Sequence, residues 1–417
     1  MQLPFTPKLL TVIREGYTAA EFRRDALAGL TVAIVALPLS MAIAIASHAP
    51  PQAGLFTAII GGFLISALGG SRFQIGGPAG AFIVLVASII DDHGLDGLLL
   101  ATMMAGAIML VGGVLRVGTL VRHVPHAVTV GFTAGIAVII FASQVHDLFG
   151  LTLTGQEPGE LLHKLEALWA ARGTLNIWAA VLAAATIAII TAIRAWKPLW
   201  PALLIAVVLA SLAAWALRLP VETIGTRFGS IPSTLPFPAM PAVTMERLVA
   251  LLPSAISLAI LGAIESLLSA VVADGMTGRK HRSNAELVAQ GVANIATPLF
   301  GGITVTGTIA RTATNVKAGA HGPVSGMLHA AYILLFMLVA APLMSLIPLA
   351  ALAGILALVA WNMIEKKEIS KLQAWPTLSV LLVTFLVTIF RDLIEGIAAG
   401  IILSIIINFL LRRTRGG

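Results

Sequence analysis

The feature that most constrains this chain is a succession of apolar runs, each close to the length of a bilayer crossing, from Ala26 to Leu411. A backbone in hydrocarbon must satisfy its own N–H and C=O groups, so such runs fold as helices or as closed barrels. Here the runs are continuous and do not alternate with polar residues, which excludes a barrel. Hydrophobic residues make up 58% of the 417 and charged residues only 11%. That is too little charge to cover a soluble surface, so the chain is expected to be an all-α polytopic membrane protein.

A helical crossing takes about 20 residues. The sequence then reads as fourteen transmembrane spans near 26–47, 52–69, 78–91, 96–115, 123–143, 174–193, 199–218, 248–273, 285–299, 306–318, 324–344, 348–364, 375–390 and 393–411. Residues 1–25 mix Lys8, Arg14, Arg23 and Arg24 with Leu9, Leu10, Val12, Ile13 and Phe22, the pattern of an amphipathic cytoplasmic lead-in on the membrane surface. The even-numbered loops carry Arg72, Arg116, Arg122, Arg194, Lys197, Arg279, Lys280, Arg282, Lys317, Lys366, Lys367 and Lys371, and the tail 412–417 adds Arg412, Arg413 and Arg415. The odd loops hold Asp91, Asp92, Asp96, Asp147, Glu157, Glu160 and Glu166. This bias predicts a cell (inner) membrane protein with both termini cytoplasmic. The net charge of +7 is thus topological and does not point to nucleic acid.

Two spans break the apolar pattern. Span three opens with Arg-Phe-Gln-Ile-Gly-Gly-Pro-Ala-Gly, and span ten with Gly-Gly-Ile-Thr-Val-Thr-Gly-Thr-Ile-Ala-Arg. Each reads as a short strand followed by a half-length helix, with Ile303–Val305 as the second strand and Thr306 and Gly307 as the helix start. They lie seven spans apart, the arithmetic of a 7+7 inverted repeat, with a first repeat over 26–245 and a second over 246–411. A weak internal echo, Val124 to Ile139 against Ile347 to Ala360, agrees. Paired interrupted helices mark a transport site at the bilayer midplane.

In such a repeat the two half-helices point their N-termini at one another, and unpaired N–H groups there favour an anion. Pro78 suits the first turn of a helix. Gly76, Gly77, Gly80 and Gly307 let a ligand approach the backbone, or serve only close helix packing. Thr306 and Thr308 are candidate caps or hydroxyl donors. Arg311 falls about one turn into the span-ten helix, where a cation is functional by default or is held structurally by a carboxylate or carbonyls. Glu265, in span eight, reads as a proton site, a cation ligand or the partner of Arg311. Ser266 and Ser269 line the cavity or bond back to their own helix. Ser283 and Glu286 have capping-box spacing, and Asn294 is placed to bond across helices. His123, His126, His321 and His329 lie near span ends and read as interfacial.

With Glu265 ionised beside Arg311 an anion gains little; protonating Glu265 exposes Arg311 and both helix dipoles to the anion. Proton and anion would then bind together, the sign of symport. Sodium fits less well, since it needs more oxygen ligands. Cysteine is absent, so disulfides and thiolate metal sites are excluded. No metalloprotease, nucleophile-elbow, Walker, Rossmann or EF-hand motif occurs, so neither an enzyme nor a cofactor nor a metal centre is expected.

The residues also carry a family likeness. Pro38, Pro50 and Pro51, Gly54 and Leu55, Gly70 to Arg72, and Gly77-Pro78-Ala79-Gly80 resemble the opening signature of the SulP anion transporters, the sulfate-permease or solute carrier 26 family. The segments starting at Gly262, Asn284 and Gly307 are similar to its patterns in spans eight, nine and ten. The resemblance implies UraA-like core and gate domains, elevator-like motion, a homodimer, and a substrate site between spans three and ten lined by spans one and eight. Carried onto this chain, the site comprises Gly77, Pro78, Ala79, Gly80, Thr306, Gly307, Thr308, Ala310, Arg311, Leu39, Met41 and Ser269, with Glu265 as the proton-coupling acid. Three departures stand out. Leu39 and Ile43 replace the family's usual Gln and Tyr, Ala310 stands where Ser is common, and the chain stops at Arg-Arg-Thr-Arg-Gly-Gly without the STAS domain, as a truncated or a natural short form. The expected substrate is a small anion such as fumarate or another dicarboxylate, bicarbonate or sulfate. A passive anion channel or exchanger on the same fold and a nucleobase permease are the alternatives.

Overall fold

The structure is a computed structural model. It describes all residues except 1–4, 120–124, 156, 159–160, 199, 365, 373, 392 and 416–417. Arg122, His123 and Glu160 therefore lie outside the described residues, as do the side chains of Lys367, Lys371, Arg412, Arg413 and Arg415.

The long apolar runs form helices. In chain order these are α1 (Lys8–Glu15), α2 (Ala19–Ala46), α3 (Pro51–Phe56), α4 (Gly62–Leu68), α5 (Ile83–Val114), α6 (His126–Phe149), α7 (Leu161–Ala170), α8 (Ile177–Trp196), α9 (Ala202–Ala216) and α10 (Ile224–Phe228). There follow α11 (Met245–Thr277), α12 (Ser283–Leu299), α13 (Ile309–Lys317), α14 (Val324–Met344), α15 (Leu349–Met363), α16 (Lys366–Lys371), α17 (Trp375–Phe390) and α18 (Leu393–Arg415). Among the described residues, eight helical stretches are long and apolar enough to cross a membrane, and three shorter apolar helices accompany them. A π-helical turn, Thr57–Gly61, joins α3 to α4, so 51–68 runs as one crossing. Gly94, with φ +71°, kinks α5 between the third and fourth apolar runs.

Helix pairs close through small residues, as expected where no water drives association. Gly106 of α5 faces Gly291 of α12; a Cβ on Gly291 would stand 2.5 Å from the Leu110 nitrogen. The most extensive helix contacts join α5 with α11 and α12, α2 with α14, and α6 with α15 and α17.

The β structure sits inside this bundle. Strand β1 (Gly76–Gly77) pairs antiparallel with β2 (Thr306–Gly307), Gly76 opposite Gly307 and Gly77 opposite Thr306. The ribbon shifts three sequence expectations. The second strand is Thr306–Gly307 and not Ile303–Val305, because Asn294 Oδ1 accepts from the Val305 N–H (3.0 Å) and its Nδ2 donates to the Val305 carbonyl (2.7 Å), satisfying that residue from α12. The span-ten helix consequently starts at Ile309. Pro78 lies outside the helix: after β1 the chain stays extended through Ala79, and a 3₁₀ turn, Gly80–Phe82, leads into α5.

At the N-terminus, α1 lies against protein. Val12 is buried, the Lys8 N–H bonds the Gly69 carbonyl (2.9 Å), Arg282 Nη1 donates to the Thr6 carbonyl (2.6 Å) and Thr11 Oγ1 (3.0 Å), and Arg72 pairs with Glu15. Asp25, fully buried in α2, accepts from the His321 and Gly322 N–H groups and from the Tyr17 hydroxyl.

Candidate functional site

The β1–β2 ribbon brings the starts of α5 and α13 together. Pairing is antiparallel, so the two chains leave the ribbon in opposite directions, one into each helix. Neither start has a side-chain cap: Thr308 precedes α13 and Ala79 precedes the 3₁₀ turn, and neither residue's side chain bonds a helix N–H. Both threonines look elsewhere. Thr308 Oγ1 donates to the Ile75 carbonyl at 3.5 Å, and Thr306 Oγ1 to the Gly262 carbonyl at 3.3 Å. The orphan N–H groups and partial positive charge of the helix starts remain for a ligand.

Arg311 crosses from α13 toward β1. It is only 2% exposed. Its Nη2 donates to Ser40 Oγ (3.1 Å) and to the Pro78 carbonyl (3.3 Å). Its Nη1 has no hydrogen-bond partner, and a Cβ on Gly77 would overlap that nitrogen. A side chain at 77 would therefore displace the guanidinium from this position. Among the described residues no carboxylate pairs with Arg311, and Glu265 forms neither a hydrogen bond nor an ion pair. Of the three readings of Glu265, the pairing with Arg311 is not formed in this arrangement. Burying the guanidinium against neutral oxygens alone leaves its charge uncompensated, which an anion at Nη1 would relieve.

The remaining predicted positions divide. Ser269 Oγ bonds Thr312 Oγ1 (3.1 Å), which also accepts the Ile75 N–H (3.1 Å), so Ser269 braces the ribbon from α11. Ser266 bonds back to Ala263 of its own helix (3.2 Å). A Cβ on Gly80 would face Ile140 of α6 and Met363 of α15. Leu39, Met41 and Ala79 are buried in the apolar core, and Ala310 is exposed.

Several residues of the site were misread or missed. Ser40, between Leu39 and Met41, is the α2 residue that hydrogen-bonds Arg311; as one of three hydroxyls in its span, with Thr31 and Ser47, it carried no distinguishing signal. Glu286 is no capping residue. Arg282 is the N-cap position of α12, and the Glu286 carboxylate turns inward to Gly70, Ser71, Gln74 and Gln290. His329 is not interfacial but fully buried. The start of α14 presses on α2, where a Cβ on Gly29 would lie 3.1 Å from the His329 nitrogen. His126 is exposed and His321 partly buried.

Comparison with known proteins decides the lineage. A model of the sulfate permease family matches residues 22–388. The chain belongs to the sulfate permease family. A Bacillus subtilis (strain 168) relative, YvdB, whose name carries a provisional sulfate-transporter assignment, is 43% identical over 96% of this chain and 75% of its own length. The transmembrane domain of a cyanobacterial bicarbonate transporter, BicA, superposes with a TM-score of 0.82 at 31% identity, covering 91% of this chain and 98% of that one. The murine solute carrier 26 family member A9 anion transporter shares the fold at 19% identity, with a TM-score of 0.87 over 96% of this chain and 70% of that one.

Proposed function

We propose that this sulfate permease family member is a secondary active transporter of a small anion, working as a proton-coupled symporter. The observation that carries the reading is Arg311: a buried guanidinium with a free Nη1, flanked by two uncapped helix starts and unpaired with any carboxylate among the described residues. Relatives named for sulfate and bicarbonate support a small anion of that kind, and a dicarboxylate such as fumarate fits the same chemistry. Glu265 supplies the proton step. It stands free on α11, and protonating it removes the negative charge nearest the ribbon on that helix and leaves the field of Arg311 to the anion.

The same reading takes the chain as fourteen spans in two inverted repeats, 26–245 and 246–411, with cytoplasmic termini, assembled as a homodimer. The antiparallel β1–β2 pairing is the contact such a repeat makes at its centre. The groups built on α2, α5, α11–α14 and on α6, α15, α17 would act as core and gate, and Gly80 against Ile140 and Met363 marks where they meet.

Uptake of labelled sulfate, bicarbonate and fumarate into proteoliposomes, with pH gradient, sodium gradient and voltage set separately, tests the proposal. Acid-driven accumulation of one anion is expected. Electrogenic flux that ignores the pH gradient would show a passive channel instead, and accumulation driven by sodium alone would replace the proton.

A further inference from the structure

Glu286 is fully buried in α12 and, among the described residues, forms no salt bridge. Its Oε2 accepts the backbone N–H groups of Gly70 (2.9 Å) and Ser71 (3.0 Å). Its Oε1 accepts Gln74 Nε2 (3.0 Å) and Gln290 Nε2 (2.9 Å). Four N–H donors converge on two oxygens. That set suits an acceptor-only carboxylate, and any hydrogen placed on it would oppose a donor.

Gln74 is the link from this carboxylate to the site. Its Nε2 also donates to the carbonyl of Ser266 (3.0 Å), the residue after Glu265 on α11. Two acceptors thus fix which end of the amide is nitrogen. Its side chain fills the space in front of β2: a Cβ on Gly307 would overlap the Gln74 amide. Two residues later the chain enters β1 and reaches Gly77, against which Arg311 packs. One buried carboxylate therefore joins α12, the loop at 70–71, the lead into β1 and the α11 turn that carries Glu265.

We propose that Glu286 is a positioning residue of the transport site, acting through Gln74 to hold the β1–β2 ribbon and the Glu265 turn in register. The role rests on the anion-transport reading above. Glu286→Gln is nearly isosteric but sets an NH₂ against two donors. Gln74 cannot flip to accept it without facing its own carbonyl toward that of Ser266, so the strain moves into the ribbon.

The test has two arms. In hydrogen exchange of the purified protein, Glu286→Gln and Gln74→Ala should each speed exchange over 75–80 and 306–311 while leaving α6 and α15 as protected as in the wild type. In proteoliposomes each should raise the KM for the transported anion by about tenfold, the equivalent of one lost hydrogen bond to a charged group. The double variant should match Gln74→Ala alone, because both act through one contact. Uniform loss of protection would make Glu286 a general stabiliser, and effects on KM that multiply, or an unchanged ribbon, would overturn the proposal. If the wild type moves no anion, the transport reading fails while the exchange arm still decides the role of Glu286; Gln74→Ala keeps that arm available should Glu286→Gln not fold.

Discussion

At the scale of single residues the proposed site rests on one buried cation, Arg311, and on the space that Gly77 leaves for it. Arg311→Ala should weaken anion binding by roughly 2–5 kcal/mol, the range for removing one partner of a buried charged contact. Anion-dependent thermal stabilisation in detergent should disappear while the protein stays folded; stabilisation that survives would make Arg311 structural. Gly77→Ala should weaken binding in the same direction but by less, since the new Cβ pushes Nη1 out of place while the cation itself remains. Glu265 carries a different expectation. Glu265→Gln mimics the protonated acid, so anion binding should persist while accumulation stops responding to the pH gradient. Full acid-driven uptake by this variant would remove Glu265 from the coupling step. These residues were visible in the sequence because a charge in an apolar span is expensive wherever it lies. Ser40 and Gln74 were not, because a hydroxyl or amide beside apolar residues carries no such penalty once it finds a local partner.

At the scale of elements, the interrupted spans are held by other helices and not by their own propensity. A two-residue strand cannot persist alone, and here α12 braces β2 through Asn294 while α11 braces β1 through Ser269 and Thr312. The contact of α12 with α5 is the close crossing that anchors this brace. Gly291→Ala should force the two helices apart and destabilise the protein by roughly 1–3 kcal/mol, read as a lower unfolding temperature in detergent. An unchanged temperature would mean that the crossing relaxes freely. Periodicity located both interrupted spans but misplaced the second strand, because the partner satisfying Val305 lies eleven residues earlier on a separate helix. Pro78 was misassigned for a related reason: its fixed φ suits an extended residue as well as a helix start.

At the scale of the whole molecule, the N-terminal helix ties the loops on one face together. Arg72 hydrogen-bonds Glu15 and holds its carboxyl below the ordinary value of 4.5. A depressed carboxylate stabilises the docked helix fully above that ordinary value, and the contribution is lost as pH falls through the lower folded value. The chain has no cysteine, so a nitroxide at Leu10→Cys reports α1 alone. Its mobility should rise in the wild-type background as pH falls below the ordinary glutamate value of 4.5 and through the lower folded value. In Glu15→Gln it should be high already at neutral pH; a label equally immobile in both would show that Val12 packing, and not the ion pair, holds α1.

What the sequence determined by itself was everything governed by a chemistry of extremes. Lipid admits only self-satisfied backbone, so apolar runs specify spans, and a broken run specifies a protected cavity. A lone arginine or glutamate deep inside such a run, as Arg311 and Glu265 are, marks a candidate site because its burial is costly. What only the tertiary structure decided was pairing. Whether Arg311 meets Glu265 or Ser40, whether Glu286 caps its helix or reaches four donors inside, and whether His329 sits in the interface or in the core all depend on which helices cross and how closely. Those distances are set by glycines that meet residues far away in the chain, Gly106 against Gly291 and Gly77 against Arg311, and close packing transmits them to every polar group between.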